Sequence, residues 1–325
     1  MKIDICIPTY NRRNLLQVAI ESALRQSYPD TTIIVSDNAS EDGTIELMQS
    51  VYAENPKIRY FRNEMNIWAL ENCRKCVYEH SRGDYILFLS DDDELVDPQY
   101  LTKAIAHLKN YPTSRIVIGN TRISYTDIGI SFDEDKQLAI VTPGKEFFLN
   151  YGIGDYTISW CNAIFHRQSA IDTGSYDGSV FYVDSDSFFR IMLLGDVGFI
   201  NTIASIYAVH AKNSYKITTV DTYLDNQLYI TQNYDRTLKL WLIEKDLLDA
   251  WKERLLFGYR ISMIYNLILF SADPIKNLCK ALGVLWEQGF APGWKLYIKI
   301  PFLYIAHFAI RFKPVFRFLI VHNRT

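Results

Sequence analysis

Cysteine is scarce in this sequence: five residues in 325, at Cys6, Cys73, Cys76, Cys161 and Cys279. So sparse and odd a set excludes a disulfide framework and fits a reducing compartment. Cys73 and Cys76 form a single C-x-x-C with no second pair, so both read as plain thiols inside a helix rather than zinc ligands. Long apolar runs are missing as well. The longest nearly uncharged stretch towards the C-terminus, residues 300–310, is too short to cross a bilayer as a helix. Met1-Lys2 runs directly into a strand-like segment, so no secretory signal is expected. The formal net charge is −3, which gives no global basic field and no reason to expect nucleic acid as a partner. No G-x-G-x-x-G follows the first strand-like segment and no G-x-x-x-x-G-K-[ST] occurs, which disfavours dinucleotide and P-loop sites.

Acidic residues are absent from the whole C-terminal end. After Glu287 there is none, while Lys295, Lys299, Arg311, Lys313, Arg317 and Arg324 are all basic. That end carries +6, and the other 28 cations against 37 acids leave −9. A basic, aromatic-rich end on an acidic body suits peripheral contact with an anionic membrane. A helical subdomain or a dimer contact fits the same pattern.

What is present is an ordinary globular composition, 49% hydrophobic and 22% charged, enough for a sizeable core. Over the first 120 residues, strand and helix patterns alternate. Strands are expected at 3–7, 32–35, 58–61 and 85–89, with helices at 13–25, 43–52 and 66–78. Leu16, Ala19, Ile20, Ala23 and Leu24 give the first helix its apolar stripe. This order predicts an α/β fold with a mostly parallel sheet between helices.

The most informative segment runs from Gly83 to Leu95. An apolar strand, Tyr85 to Leu89, stops abruptly at Ser90-Asp91-Asp92-Asp93-Glu94. Adjacent carboxylates repel one another and persist most readily around a cation, and hard oxygen ligands suit Mn²⁺ or Mg²⁺. Acids that favour the start of a helix near Pro98 would read the same way. The first strand ends in Pro8-Thr9-Tyr10-Asn11-Arg12 and the second in Ser36-Asp37-Asn38-Ala39-Ser40. Thr9, Tyr10 and Asn11 can donate to a ribose and base, and Asp37 can accept the imino proton of a pyrimidine. Asp37, Asn38, Ser40 and Asp42 are equally suited to turns and helix caps.

Taken together, the segments 7–12, 35–44, 63–72 and 83–93 resemble the family 2 glycosyltransferases of GT-A fold, in particular bacterial enzymes that build O-antigen and capsule. The resemblance covers residues 1 to about 212. It implies a Rossmann-like sheet, an inverting sugar transfer from a nucleotide diphosphate donor of UDP type, and a divalent metal on the diphosphate. It further implies that Pro8, Thr9, Tyr10, Asn11, Asp37, Asn38 and Asp91 line the nucleotide, with Asp91 towards the ribose. Asp92 becomes the direct metal ligand, supported by Asp93, and His210 a further ligand. Ser90 stands where the family more often has an acid, and Ile67-Trp68 where it often has glycine.

In the second half, the segment 181–190 resembles the acidic pair that precedes a helix in this family. Asp184 then matches the catalytic base, Arg190 closes the motif, and Asp186 and Trp160 belong to the acceptor side or its support. An N-terminal cap is the other reading of Asp184. The expected organisation is a catalytic domain over 1–220, its nucleotide half 1–120 and acceptor half 121–220, followed by a helical region over 221–325. A glycan or polyprenyl-linked acceptor and a location in the cytoplasm, at the inner face of the cell membrane, complete the expectation. A non-catalytic nucleotide-sugar binding protein and a sugar nucleotidyltransferase remain the alternatives.

Overall fold

In the computed structural model, residues 1–127, 129–177, 183–210, 220–270 and 273–287 are described. The basic end at 295–324, Phe181-Tyr182, and Ala211 to Ser214 lie outside the described residues. The described elements are β1 (Ile3–Thr9), α1 (Arg13–Leu24), β2 (Thr31–Asp37), α2 (Thr44–Ser50), β3 (Ile58–Arg62), α3 (Trp68–Lys75), β4 (Tyr85–Phe88), β5 (Glu94–Leu95) and α4 (Tyr100–Asn110). Then follow β6 (Ser114–Tyr125), β7 (Ile130–Asp133), β8 (Val141–Thr142), α5 (Gly144–Asn150), β9 (Ile164–His166), α6 (Arg167–Asp172), α7 (Val183–Met192) and β10 (Asp196–Val209). Four helices complete the described chain: α8 (Val220–Asn226), α9 (Leu228–Lys239), α10 (Lys245–Phe270) and α11 (Pro274–Glu287).

One ten-stranded sheet runs in the order β3-β2-β1-β4-β9-β6-β10-β5, with β7 on β6 and β8 on β10. The expected parallel α/β sheet is present: β3, β2, β1 and β4 are all mutually parallel, and β10 runs parallel to β6. The short strands β5, β7, β8 and β9 pair antiparallel. Apart from β4, which is a continuous apolar run, strands of two to four residues are too short to carry a readable periodicity.

Residues of β1 are buried on both faces, which is why Ile3-Asp4-Ile5-Cys6-Ile7 reads as a nearly continuous apolar run. The helix α1 buries Leu16, Ala19, Ile20 and Ala23 against this sheet, the stripe its spacing predicts. Cys6, Cys73 and Cys76 are all buried, as core thiols should be. At the N-terminal edge of β1, the buried Asp4 carboxylate accepts bonds from Ser81 Oγ and from the N–H groups of Arg82 and Gly83, each at 2.7 Å. Gly83 is required there: a Cβ would stand 3.0 Å from Asp4 Cγ, Asp4 N and Tyr85 O. This clamp fixes the entry to β4 and thereby the position of the acids at its far end.

The described residues divide into two compact units, one of 1–209 with 240–243 and a second that starts at His210 and holds α8 to α11. The second unit has its own core, in which Val220, Tyr223, Met263, Ile264, Leu267 and Leu285 are buried. Met263 and Leu267, four positions apart on α10, share one face of that helix. Among the described residues, no helix is long and apolar enough to cross a membrane.

Candidate active site

The chain leaves β1 to form β2 and β3 on one side, then returns to place β4 on the other. The order therefore reverses between β1 and β4, and in open α/β sheets ligands bind in the crevice beyond the carboxyl ends at such a reversal. Both candidate loops end in this crevice. Thr9 Oγ1 donates to Asp91 Oδ2 at 2.8 Å, and one nitrogen of Arg12, Nη1, donates to Asp91 Oδ1 at 2.9 Å and to Asp92 Oδ2 at 2.8 Å. Thr9 thus spends its hydroxyl on an aspartate. Desolvation pushes the Asp91 carboxyl up to about 6, against the opposing pull of Arg12 and Thr9. Burial works against the Arg12 charge, but Asp91 and Asp92 outweigh it and hold the guanidinium above its usual value.

Asp93 has a different task from its neighbours. It is buried, and its Oδ1 accepts the Ala208 N–H at 2.9 Å, tying the acidic turn to the end of β10. Burial and the charge of Asp92 push its carboxyl well up. It anchors β10, so the Asp93 oxygen expected to support the metal ligand Asp92 is engaged by backbone, while Asp91, expected towards the ribose, stands beside Asp92 on Arg12. His210 follows two residues after this anchor and begins the second unit.

The pair Asp91 and Asp92 fits a hard divalent cation. Two carboxylate oxygens reach the same Arg12 nitrogen, so one cationic centre can satisfy both. Among the described residues, no group of three His, Cys, Asp or Glu side chains is arranged to hold a metal alone. Mg²⁺-like ions need no such group, because one or two carboxylates together with substrate phosphates suffice.

Beyond β2 the loop is locked from within. Asp37 has no exposed surface; its Oδ1 accepts the Ser40 N–H at 2.9 Å and its Oδ2 accepts the Tyr60 hydroxyl at 2.6 Å, with Arg62 Nε at 3.4 Å. A base can reach this carboxylate only by displacing a covering side chain. Asn11 N–H donates to Ser40 Oγ and Asn11 Oδ1 accepts from the Glu41 N–H, stitching the loops after β1 and β2 together. Asp42 Oδ2 accepts the Arg13 N–H at 2.7 Å, capping α1 from the neighbouring loop. Tyr10 is exposed and Pro8 half-buried. Asn38 is buried and bonds Asn66, Asn63 and the Ile67 N–H. Asn11, Ala39 and Trp68 all have positive φ, at 53°, 66° and 67°. Strained backbone of this kind gathers at ligand clamps, and here it marks the loops after β1, β2 and β3.

On the other side of the crevice, Phe88 at the end of β4 stacks on Trp160 with centroids 4.6 Å apart. Trp160 also meets Tyr176 and Phe188, the latter on α7. This aromatic cluster joins the strand that precedes the acids to the helix whose first turn holds Asp184. Asp184 is half-buried, and desolvation raises its carboxyl, against bonds from its own N–H and that of Ser185. Asp186 pairs with Arg190 at 2.6 Å, both buried, and Arg190 Nη1 donates to the carbonyls of Thr173 and Gly174. Asp186 and Arg190 are thus engaged in bracing α7, which leaves Asp184 as the acid of the pair without that duty. Arg12, Tyr60 and Arg62 are the partners of Asp91 and Asp37 that the sequence alone does not single out. Their spacing to Asp91 and Asp37 carries no local signal, and only the abundance of acids hinted that countercharges were needed.

Sheet order and crevice define an α/β protein of GT-A type. The fold matches TarS residues 1–349 of S. aureus, solved in complex with UDP-GlcNAc, with a TM-score of 0.66 over 87% of this chain and 80% of that one at 15% identity. It also matches the mannosyltransferase PcManGT of Pyrobaculum calidifontis, in complex with GDP-Man and Mn²⁺, with a TM-score of 0.53 over 98% of this chain and 83% of that one at 16% identity. The sequence takes the assignment further: the glycosyl transferase family 2 profile matches residues 4–174, and the chain belongs to that family. Among its relatives, GalNAc(5)-diNAcBac-PP-undecaprenol beta-1,3-glucosyltransferase of Campylobacter jejuni is 35% identical over 29% of this chain and 31% of its own length. The putative colanic acid biosynthesis glycosyl transferase WcaA of Escherichia coli is 33% identical over 49% of this chain and 56% of its own length. The match therefore spans about a third to somewhat over half of these relatives.

Proposed function

We propose that this chain is an inverting glycosyltransferase that moves a sugar from a nucleoside diphosphate, of UDP type, to a hydroxyl of a glycan or lipid-linked glycan in cell-surface polysaccharide synthesis. One observation carries the reading: the convergence of Thr9, Arg12, Asp91 and Asp92 at the switch point between β1 and β4. The relatives support the same class of reaction: by name, one is a beta-1,3-glucosyltransferase of an undecaprenol-linked glycan and the other a putative colanic acid biosynthesis glycosyl transferase. Asp92, with Asp91, would hold Mn²⁺ or Mg²⁺, and such an ion would neutralise charge gathering on the leaving diphosphate.

The remaining roles belong to the chain itself. Asp184 accepts the proton of the attacking hydroxyl, and its raised affinity for a proton suits a general base. Trp160, held by Phe88, shapes the acceptor side. The Asp37 loop receives the nucleoside. Thermal-shift titration with UDP, GDP and UDP-sugars, with Mn²⁺ or with chelator, tests this reading through ligand-linked stabilisation. Equal stabilisation in chelator would end the metal assignment, and none with any nucleotide would end the whole reading.

The basic, aromatic end at 295–324 supports peripheral attachment to an anionic membrane surface, which suits a lipid-linked acceptor at the cytoplasmic face. Each cation near such a surface contributes about 1 kcal/mol. Sedimentation with anionic vesicles at low salt should carry the protein down, and neutral vesicles should carry much less. Indifference to anionic vesicles would remove this part of the proposal.

A further inference from the structure

Trp68 opens α3 with φ at +67°, a conformation that bulky L residues avoid. Its side chain is 81% exposed, so packing in the core does not account for its presence. The backbone is held in place from below. The Trp68 N–H donates to Asn66 Oδ1 at 2.9 Å, and that oxygen also accepts from Asn38 Nδ2 at 2.8 Å. Asn38 Oδ1 in turn accepts the Ile67 N–H at 2.9 Å. Beneath it, Asn63 Nδ2 bonds Asn72 Oδ1, and Asn72 Nδ2 reaches the Ser36 carbonyl. A ladder of asparagines therefore bolts this turn to the end of β2, beside Asp37. Glycine would adopt the same φ without strain. The chain instead holds a tryptophan there and leaves its ring in solvent.

Neighbouring strands lie about 4.8 Å apart, so the loop after β3 stands about 10 Å from β1 and about 14 Å from β4. A nucleoside diphosphate with its phosphates at Asp91 and Asp92 would have to reach across the carboxyl ends of β1 and β2 for its base to meet the loops that follow β2 and β3. We propose that Trp68 is the stacking platform for that base, an assignment that rests on the nucleotide-binding reading above. Every base presents a π face, so a ring at this place adds affinity for nucleotides in general and leaves selection among them to polar groups. Holding the backbone in a strained form in advance removes an ordering cost from the binding step.

Calorimetric titration of the full chain with UDP and Mn²⁺ tests the assignment, using Trp68→Gly, Trp68→Phe and the unaltered protein. Trp68→Gly should bind UDP about tenfold more weakly, the scale of one lost base stack. Trp68→Phe, which keeps a ring, should stay within about threefold. Pyrophosphate with Mn²⁺ has no base and should bind all three proteins alike. Trp68→Gly should also melt no lower than the unaltered chain, because glycine relieves the positive φ, so a folding defect does not mimic the loss. Equal UDP affinity in Trp68→Gly, with the unaltered chain binding well, overturns the stacking role and leaves nucleotide binding standing. An equal loss for pyrophosphate overturns it too. Failure of the unaltered chain to bind any nucleoside diphosphate overturns both readings.

Discussion

Arg12 Nη1 lies 2.8 Å from Asp92 Oδ2, and the same nitrogen bonds Asp91 Oδ1 at 2.9 Å. A guanidinium thus occupies the lone pairs that a divalent ion would use, so the two cations compete. Removing the Arg12 charge should tighten Mn²⁺ binding in the absence of nucleotide. Calorimetry on Arg12→Met is expected to show this gain, and an unchanged affinity would refute the competition. The same variant leaves Asp91, with 7% of its side chain exposed, without its charged partner. Its stability to urea without metal should fall by roughly 2 kcal/mol, the scale of a hydrogen bond to a charged group. Adding Mn²⁺ should recover part of that loss.

Asp37 gives a second prediction. Its carboxylate takes the Tyr60 hydroxyl, the Arg62 guanidinium and the Ser40 N–H with no surface exposed. Asp37→Asn keeps the shape but removes the charge and turns one acceptor into a donor facing Tyr60 or Arg62. Urea unfolding should report a loss of about 2–3 kcal/mol. Tyr60→Phe deletes a single bond and should cost about 1 kcal/mol. If Asp37→Asn were as stable as the unaltered chain, the carboxylate would not be organising this loop.

Much of the nucleotide half was legible because its signals are local. The stripe of Leu16, Ala19, Ile20 and Ala23 announces α1, and the stop from Leu89 into the acids announces the end of β4. What the sequence hid is long-range. Arg12 meets Asp91 across 79 positions, and Asp93 meets the Ala208 N–H across 115. Nothing in the run Asp91-Asp92-Asp93 says that its members divide between the crevice and the anchoring of β10. Asp37 was visible as a polar strand end, but its saturation by Tyr60 and Arg62 depends on β3 lying beside β2. Asp184 and Asp186 differ by two positions in one helical turn, and only the Arg190 partnership separates them.

Gly83→Ala tests the clamp at the opposite edge. The added methyl would stand 3.0 Å from Asp4 and from the Tyr85 carbonyl, contacts made mainly with backbone and with a buried carboxylate that cannot yield easily. Overpacking of this kind costs about 1–3 kcal/mol. A melting-temperature drop should follow, without a selective effect on nucleotide affinity once the protein is folded. An unaltered melting temperature would mean that the 81–83 turn moves freely and does not set the position of β4.

The last prediction concerns proton transfer at Asp184. Desolvation raises its carboxyl above its ordinary value. The neutral form is therefore favoured in the folded protein to a higher pH than in the unfolded chain. Its contribution to stability is fully present below the unfolded value and is lost as pH rises from there through the folded value. Catalysis has the opposite sign, because a general base must be ionised. Transfer should thus fall as pH drops through the raised value, and the acid limb of kcat/KM should lie above that of an unperturbed aspartate. Asp184→Asn removes the acceptor with little change of shape, and should lower kcat by about 10²-fold or more while donor affinity, read by calorimetry, stays near that of the unaltered chain. Asp186→Asn should instead lower stability, because Arg190 would lose its buried partner. If Asp184→Asn kept most of its turnover and its acid limb, another group would have to take the proton, and the aromatic cluster around Trp160 would be shaping a different site.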